Sequence, residues 1–265
     1  MVHRILIVTA VAAEADSVSA GLGLGGPELL PLPGGLVLRR HTDAPGDRVR
    51  IDVLVGGVGP AAVAASTGTA LAYASLLGSE NPPTENPRTE NPGGSPYGLV
   101  VSAGIAGGFR PLAPLGSVVV SSAVVAADLG AETPDGYLAV DELGFGRSVH
   151  PVPEALTGRV AAALDAGGRP CTVAPVLTVS TVTGTAGRAA ELAGRHPGAA
   201  AEAMEGFGVA EAAAAYGVPV VEIRAVSNAV GPRDRAAWRI GEALDALRHA
   251  FELLSKTVFV ELEPS

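Results

Sequence analysis

The sequence predicts an α/β fold, and three observations predict it. Short, uninterrupted apolar runs rich in β-branched residues recur along the chain, as the buried strands of a parallel sheet do. The first two of these runs each lead into a longer helix-forming stretch. Glycine is abundant, with 35 among 265 residues, and 48% of the chain is hydrophobic against 17% charged, a balance that suits a compact alternation of strands, turns and helices. A chain of this length buries a sizeable core, read here as one domain over residues 1–265.

Ile5-Leu6-Ile7-Val8 reads as a central strand that passes through Thr9 to Val11 into a helix carrying Glu14 and Asp16. A short signal peptide also fits so early an apolar run; a buried strand accounts for it equally, and two acidic residues follow at once. Residues 51–55 form the next strand, and Gly57-Val58-Gly59-Pro60-Ala61-Ala62 opens a helix running to about Leu77. This turn is a partial dinucleotide fingerprint, against which stand Pro60 and the lack of an acid at a strand end about 20 residues on. Glu-Asn-Pro then recurs at residues 80, 85 and 90. Repeated proline without apolar content cannot pack, which predicts an exposed, mobile loop over about residues 79–97.

Residues 99–102 are a strand entering a glycine-rich turn, Ala103-Gly104-Ile105-Ala106-Gly107-Gly108-Phe109, whose small residues let a ligand approach the backbone. No lysine follows it, which excludes a triphosphate-binding loop. A strand over residues 118–126 ends near Asp128, and residues 128–150 are loop-like. Then come a helix over 153–166, a strand over 173–179 and a hydroxyl-rich turn over 180–185. Residues 206–215 are almost free of helix breakers and stop at Tyr216-Gly217-Val218-Pro219. The apolar strand over 218–226 is interrupted only by Glu222 and Arg224, and ends in Ser227 and Asn228 before a turn at Gly231-Pro232. Trp238, Ile240, Leu244, Leu247, Phe251 and Leu254 mark a long amphipathic helix over residues 234–256.

The net charge of -9 speaks against a nucleic-acid surface. Cys171 is the only cysteine, which excludes an internal disulfide and a cysteine zinc site and fits a reducing cytoplasm. The five histidines form no cluster and no metal-ligand spacing, so no metal and no cofactor are expected. Beyond the N-terminal run no stretch reads as long and apolar enough to span a membrane.

Two polar clusters draw the eye. Glu205 stands at a helix start, where the helix dipole favours an anion, and Ser227 and Asn228 stand at the carboxyl end of the following strand, where α/β sheets gather ligands. Glu14 lies just past the end of the first strand. On spacing alone a capping glutamate, a turn asparagine and an acid in a first helical turn account for them as well.

Met204-Glu205 and Arg224-Ala225-Val226-Ser227-Asn228 resemble the nucleoside phosphorylase and methylthioadenosine nucleosidase superfamily; with Val230-Gly231-Pro232-Arg233 the likeness is greatest to its futalosine hydrolases, of menaquinone biosynthesis. The resemblance implies a three-layer αβα fold with a mixed central sheet, as in purine nucleoside phosphorylase, and a cytoplasmic homo-oligomer. It implies that the turn at 57–62 packs a helix tightly on the sheet. As catalytic residues it implies Glu14, orienting the attacking water, Glu205, gripping the ribose, and Asn228, gripping the purine. As substrate-binding residues it implies Ala103, Gly104 and Ile105 beneath base and ribose, Thr183 at the base, and Met204, Arg224 and Ser227. Relatives often carry Glu-Met-Glu where this chain has Ala203-Met204-Glu205. The stretch from Thr9 to Ser19 holds no arginine or lysine, which favours water over phosphate as nucleophile. The asparagine amide suits a 6-oxopurine, where an aspartate suits a 6-aminopurine. The implied activity is hydrolysis of the N-glycosidic bond of futalosine, releasing hypoxanthine. A phosphorylase of 6-oxopurine nucleosides and a non-catalytic nucleoside-binding protein are the rivals. Arg110, Arg147 and Arg233 are candidates, by charge, for the benzoate end of such a substrate.

Overall fold

The computed structural model describes residues 3–42, 49–78 and 95–261. In chain order its elements are β1 (His3–Thr9), α1 (Ala12–Leu22), β2 (Glu28–Pro31), β3 (Val37–Thr42), β4 (Val49–Val55), α2 (Pro60–Gly78), β5 (Leu99–Gly108), β6 (Val118–Ala126), β7 (Gly130–Thr133), β8 (Gly136–Ala139), β9 (Val149–Pro151), α3 (Glu154–Ala166), β10 (Cys171–Thr178), α4 (Ala186–Arg195), β11 (Ala201–Ala203), α5 (Gly206–Ala215), β12 (Val220–Ala229) and α6 (Ile240–Ser255).

The sheet is mixed and runs β11-β10-β6-β12-β5-β1-β4-β3-β2, with β9 added on β6. At its heart β1 lies between β4 and β5, parallel to both. Ile5, Leu6, Ile7 and Val8 are each no more than 1% exposed, so this strand is apolar on both faces and its sequence shows no alternation. The far end of the sheet curls back. The short strand β11 pairs parallel with β10 and antiparallel with β5, which closes β5, β12, β6, β10 and β11 into a ring. Around the sheet α1 packs with α6, and α2 with α5. A side chain at Gly208 of α5 would run into the backbone of Pro60, so the turn before α2 is held tightly against the helix α5.

Several expectations need correction. The glycine-rich stretch 103–108 is no turn: it continues β5, because its backbone pairs through Gly108 with β12. Ser227 and Asn228 likewise stay inside β12, Ser227 at an irregularity in register between Val226 and Asn228. The last helix begins at Ile240, not 234, because Asp234 caps a separate 3-10 turn over Arg235–Ala237 and leaves Trp238 in the connection. The hairpin of β7 and β8 and the strand β9 occupy much of the expected loop 128–150. Of the expected proline-rich loop, residues 79–94 lie outside the described residues, while at its end Tyr97 is buried and donates from its hydroxyl to Asp52 at 2.6 Å. Finally, over Pro60–Leu77 α2 is long and apolar enough, by length and composition, to cross a membrane, contrary to the sequence reading.

Candidate active site

The carboxyl ends of β1, β5, β11 and β12 converge on a cavity of about 360 Å³. Six of the ten residues singled out from sequence line it: Glu14, Ile105, Met204, Glu205, Ser227 and Asn228.

On one side lies a cluster of charge. Glu14 is 3% exposed; its Oε2 accepts from the backbone N–H groups of Ala10 at 2.9 Å and Val11 at 3.3 Å, and its Oε1 from that of Ile105 at 2.9 Å. Burial raises the Glu14 carboxyl above its ordinary range, against the pull of Arg224 and these N–H groups. That makes it a stronger proton acceptor than a carboxylate in water. Glu205 occupies the N-cap of α5 yet gives no side-chain cap bond. Its carboxylate accepts instead from Gly59 N–H at 3.3 Å and faces Arg224 Nη2 at 3.2 Å. The glutamate is therefore not there to cap the helix.

Arg224 is 1% exposed and stands behind the cavity wall, where its Nε donates to Glu222 Oε1 at 2.7 Å and its Nη2 to Ser102 Oγ at 3.1 Å. Burial disfavours its charge, but Glu222, Glu205 and Glu14 together hold the guanidinium above its ordinary value. The arginine expected to bind substrate is in this structure a counter-charge to three carboxylates. Gly104 is equally out of the cavity. A Cβ there would lie 2.5 Å from both Glu14 Oε1 and Arg224 Nη1, so the glycine makes room for the chain's own ion cluster. Ala103, 1% exposed, is wall as well.

The opposite side carries dipoles. Ser227 Oγ donates to Asn228 Oδ1 at 2.9 Å, and Asn228 Nδ2 donates one hydrogen to Ala229 O at 3.1 Å. The second amide hydrogen is left for a ligand acceptor. Thr183, buried at 7%, does not line the cavity; its backbone N–H donates at 2.9 Å to Glu202, which does. Sequence reasoning missed Glu202. Its signal was an acid alone in the otherwise apolar run Ala199 to Met204. It also missed the place of Trp238 on the cavity lining. Of the three candidate arginines, Arg147 lies 3.7 Å from Glu211, whereas the guanidinium of Arg233 lies 5.6 Å from the centre of the Trp238 ring.

This arrangement of carboxylates, glycine contacts and strand ends coincides with a match over residues 4–259 to the phosphorylase superfamily. The chain belongs to that superfamily. It is 56% identical over 247 residues to the futalosine hydrolase of Streptomyces coelicolor, covering 93% of each chain. To the futalosine hydrolase of Acidothermus cellulolyticus it is 44% identical over 253 residues, 94% of this chain and 89% of the other. Among solved structures the superfamily fold is shared with futalosine hydrolase of Helicobacter pylori, at 16% identity and a TM-score of 0.75 over 97% of this chain and 98% of that one. The 5′-methylthioadenosine/S-adenosylhomocysteine nucleosidase of the same organism matches at 18% identity and a TM-score of 0.73, over 97% and 98%.

Proposed function

We propose that this member of the superfamily hydrolyses futalosine, breaking the bond between ribose C1′ and hypoxanthine N9. The observation that carries the reading is the charge of the cavity: Glu14, Glu202 and Glu205 line it, and among the described residues no arginine or lysine does. Such a site favours the positive charge that builds on the sugar as the glycosidic bond breaks, and repels phosphate. The relatives from Streptomyces and Acidothermus support the choice of substrate.

In this reading the electron pair of the C1′–N9 bond departs with the base, and water adds to C1′ while giving its proton to Glu14. Glu205 accepts hydrogen bonds from the ribose hydroxyls, charge-assisted and held in place by Arg224. The second N–H of Asn228 Nδ2 hydrogen-bonds the acceptors of the leaving purine anion, whose oxo group shares the departing charge; the anion then takes a proton from solvent, and Glu14 returns the proton it received from water. Arg233 beside Trp238 suits the benzoate carboxylate at the cavity rim. We read the protein as a cytoplasmic homo-oligomer in which α2 packs on protein and not in lipid.

The test is to incubate the protein with futalosine, inosine and 5′-methylthioadenosine, with and without phosphate, and identify the products. Release of hypoxanthine from futalosine at the same rate without phosphate is expected. Turnover that requires phosphate and yields a sugar phosphate identifies a phosphorylase instead, and binding without any turnover identifies a nucleoside-binding protein.

A further inference from the structure

Arg224 carries one charge among three buried carboxylates, and one of these, Glu222, does not line the cavity. It is 0% exposed. Two residues apart on β12, Glu222 and Arg224 lie on the same face of the strand. Glu222 Oε1 accepts from Arg224 Nε at 2.7 Å, while its Oε2 has no hydrogen-bond partner. The desolvation penalty of a buried ion pair can exceed its Coulombic gain, and a bare carboxylate oxygen adds to that penalty. The chain nonetheless makes room for it, since a Cβ at Gly206 would strike Oε2. Stability of the fold is therefore a poor account of Glu222.

What Glu222 does fix is the direction of the guanidinium. Nε is tied to Glu222, Nη2 faces Glu205 Oε2 at 3.2 Å and Ser102 Oγ at 3.1 Å, and Nη1 turns to the carbonyl of Ile105 at 3.4 Å. Among the described residues Arg224 makes ion pairs with Glu205 and Glu222 and none with Glu14. Yet a Cβ at Gly104 would lie 2.5 Å from both Arg224 Nη1 and Glu14 Oε1, so the two groups share the space over one glycine without closing on each other. Three backbone N–H groups hold Glu14 instead. The charged groups that face Glu14 are Arg224 and Glu205, and the same two face Glu222. Neutral donors favour a carboxylate less than a guanidinium in contact does, so Glu14 keeps more of its basicity.

We propose that Glu222 is a positioning residue that draws Arg224 away from Glu14 and so leaves Glu14 the basic carboxylate of the cavity, the group that takes the proton of the attacking water. The proposal rests on the reading of Glu14 as that base. With the charge of Glu222 removed, Arg224 is attracted by Glu205 and Glu14 alone. The guanidinium then closes on Glu14, which stabilises the carboxylate and lowers its affinity for a proton.

The deciding measurement is the pH profile of kcat and kcat/KM for futalosine on the whole protein, parent against Glu222→Gln, which keeps an oxygen for Arg224 Nε but no charge. The acid limb is expected to move down by about one pH unit, a tenfold weaker proton affinity, and kcat on the plateau to fall by roughly 3- to 10-fold, as a weaker base gives. A limb that stays in place overturns the proposal even if kcat falls, because lost support of the fold lowers the rate without moving the limb. A limb moved up overturns it too. Should the variant not fold, the parent decides by carboxyl-carbon NMR: Glu222 has to remain a carboxylate down through the pH at which Glu14 titrates, and a Glu222 that takes its proton first overturns the proposal. If the parent does not cleave futalosine, the substrate reading falls by itself, and NMR titration of Glu14 in parent and variant still tests this one. A lower midpoint in Glu222→Gln supports it, and an equal or higher one overturns it.

Discussion

The charged side and the amide side of the cavity are built on different physics. On the first side the chain assembles full charges, Glu14, Glu205 and Glu222 about the buried Arg224, and it makes space for them with Gly104 and Gly206, where any Cβ would strike Arg224 and Glu14 or Glu222. On the second side it places an amide, a hydroxyl and a carboxylate held by Thr183. Charges in a buried site interact strongly and are fixed before the substrate arrives, which is what stabilising a developing cation requires. Donor and acceptor patterns discriminate between ligands, and a donor facing a leaving group also stabilises the charge that develops on it. On the proposed function, the first half meets the charge of the sugar and the second the choice and departure of the base.

The largest expected effect tests the first half. Glu14→Gln should lower kcat by roughly 10²- to 10⁴-fold with little change in substrate binding, as loss of a general base does; near-normal kcat in single-turnover assays would remove Glu14 from the mechanism. Next, Gly104→Ala has to push Glu14 and Arg224 apart. We expect a thermal midpoint lowered by several degrees, for a loss of about 1–3 kcal/mol, and a rate well below the parent's even where the protein stays folded. Full activity would mean that the ion cluster need not be so tight.

The second half predicts changes of preference. Asn228→Asp sets an acceptor against the O6 of hypoxanthine, at about 1–3 kcal/mol for the unpaired contact, so kcat/KM on futalosine should fall by roughly 10- to 100-fold and activity on its 6-amino counterpart should rise. A ratio of the two left unchanged would deny Asn228 the reading of C6. The smallest effect is in the pH profile. Glu14 acts as the carboxylate, and burial raises its carboxyl, so kcat/KM should fall as pH drops through a limb lying above the ordinary carboxylate range. An acid limb at the ordinary value, or one that persists in Glu14→Gln, assigns that limb to another group.

How much of this was legible in the chain follows from the range of the interactions. Apolar runs and breakers act locally, so the sequence alone determined β1, β4, β6, β10, α2, α3 and α5 to within a few residues. It also placed Glu14 just past the first strand and Glu205 at a helix start, though spacing alone left capping and turn roles open for these and for Asn228, which the structure keeps inside β12. Strand pairing is not local. That the glycine-rich segment 103–108 is strand and not turn depends on β12, 120 or so residues away in the chain, supplying its hydrogen-bond partners. The same holds for β11, three residues too short to announce themselves, whose pairing with β5 puts Glu202 beside Gly107. Only the tertiary structure turned Arg224 from a candidate ligand contact into the buried partner of three carboxylates, because burial and the sum of neighbouring charges exist only once the strands are together.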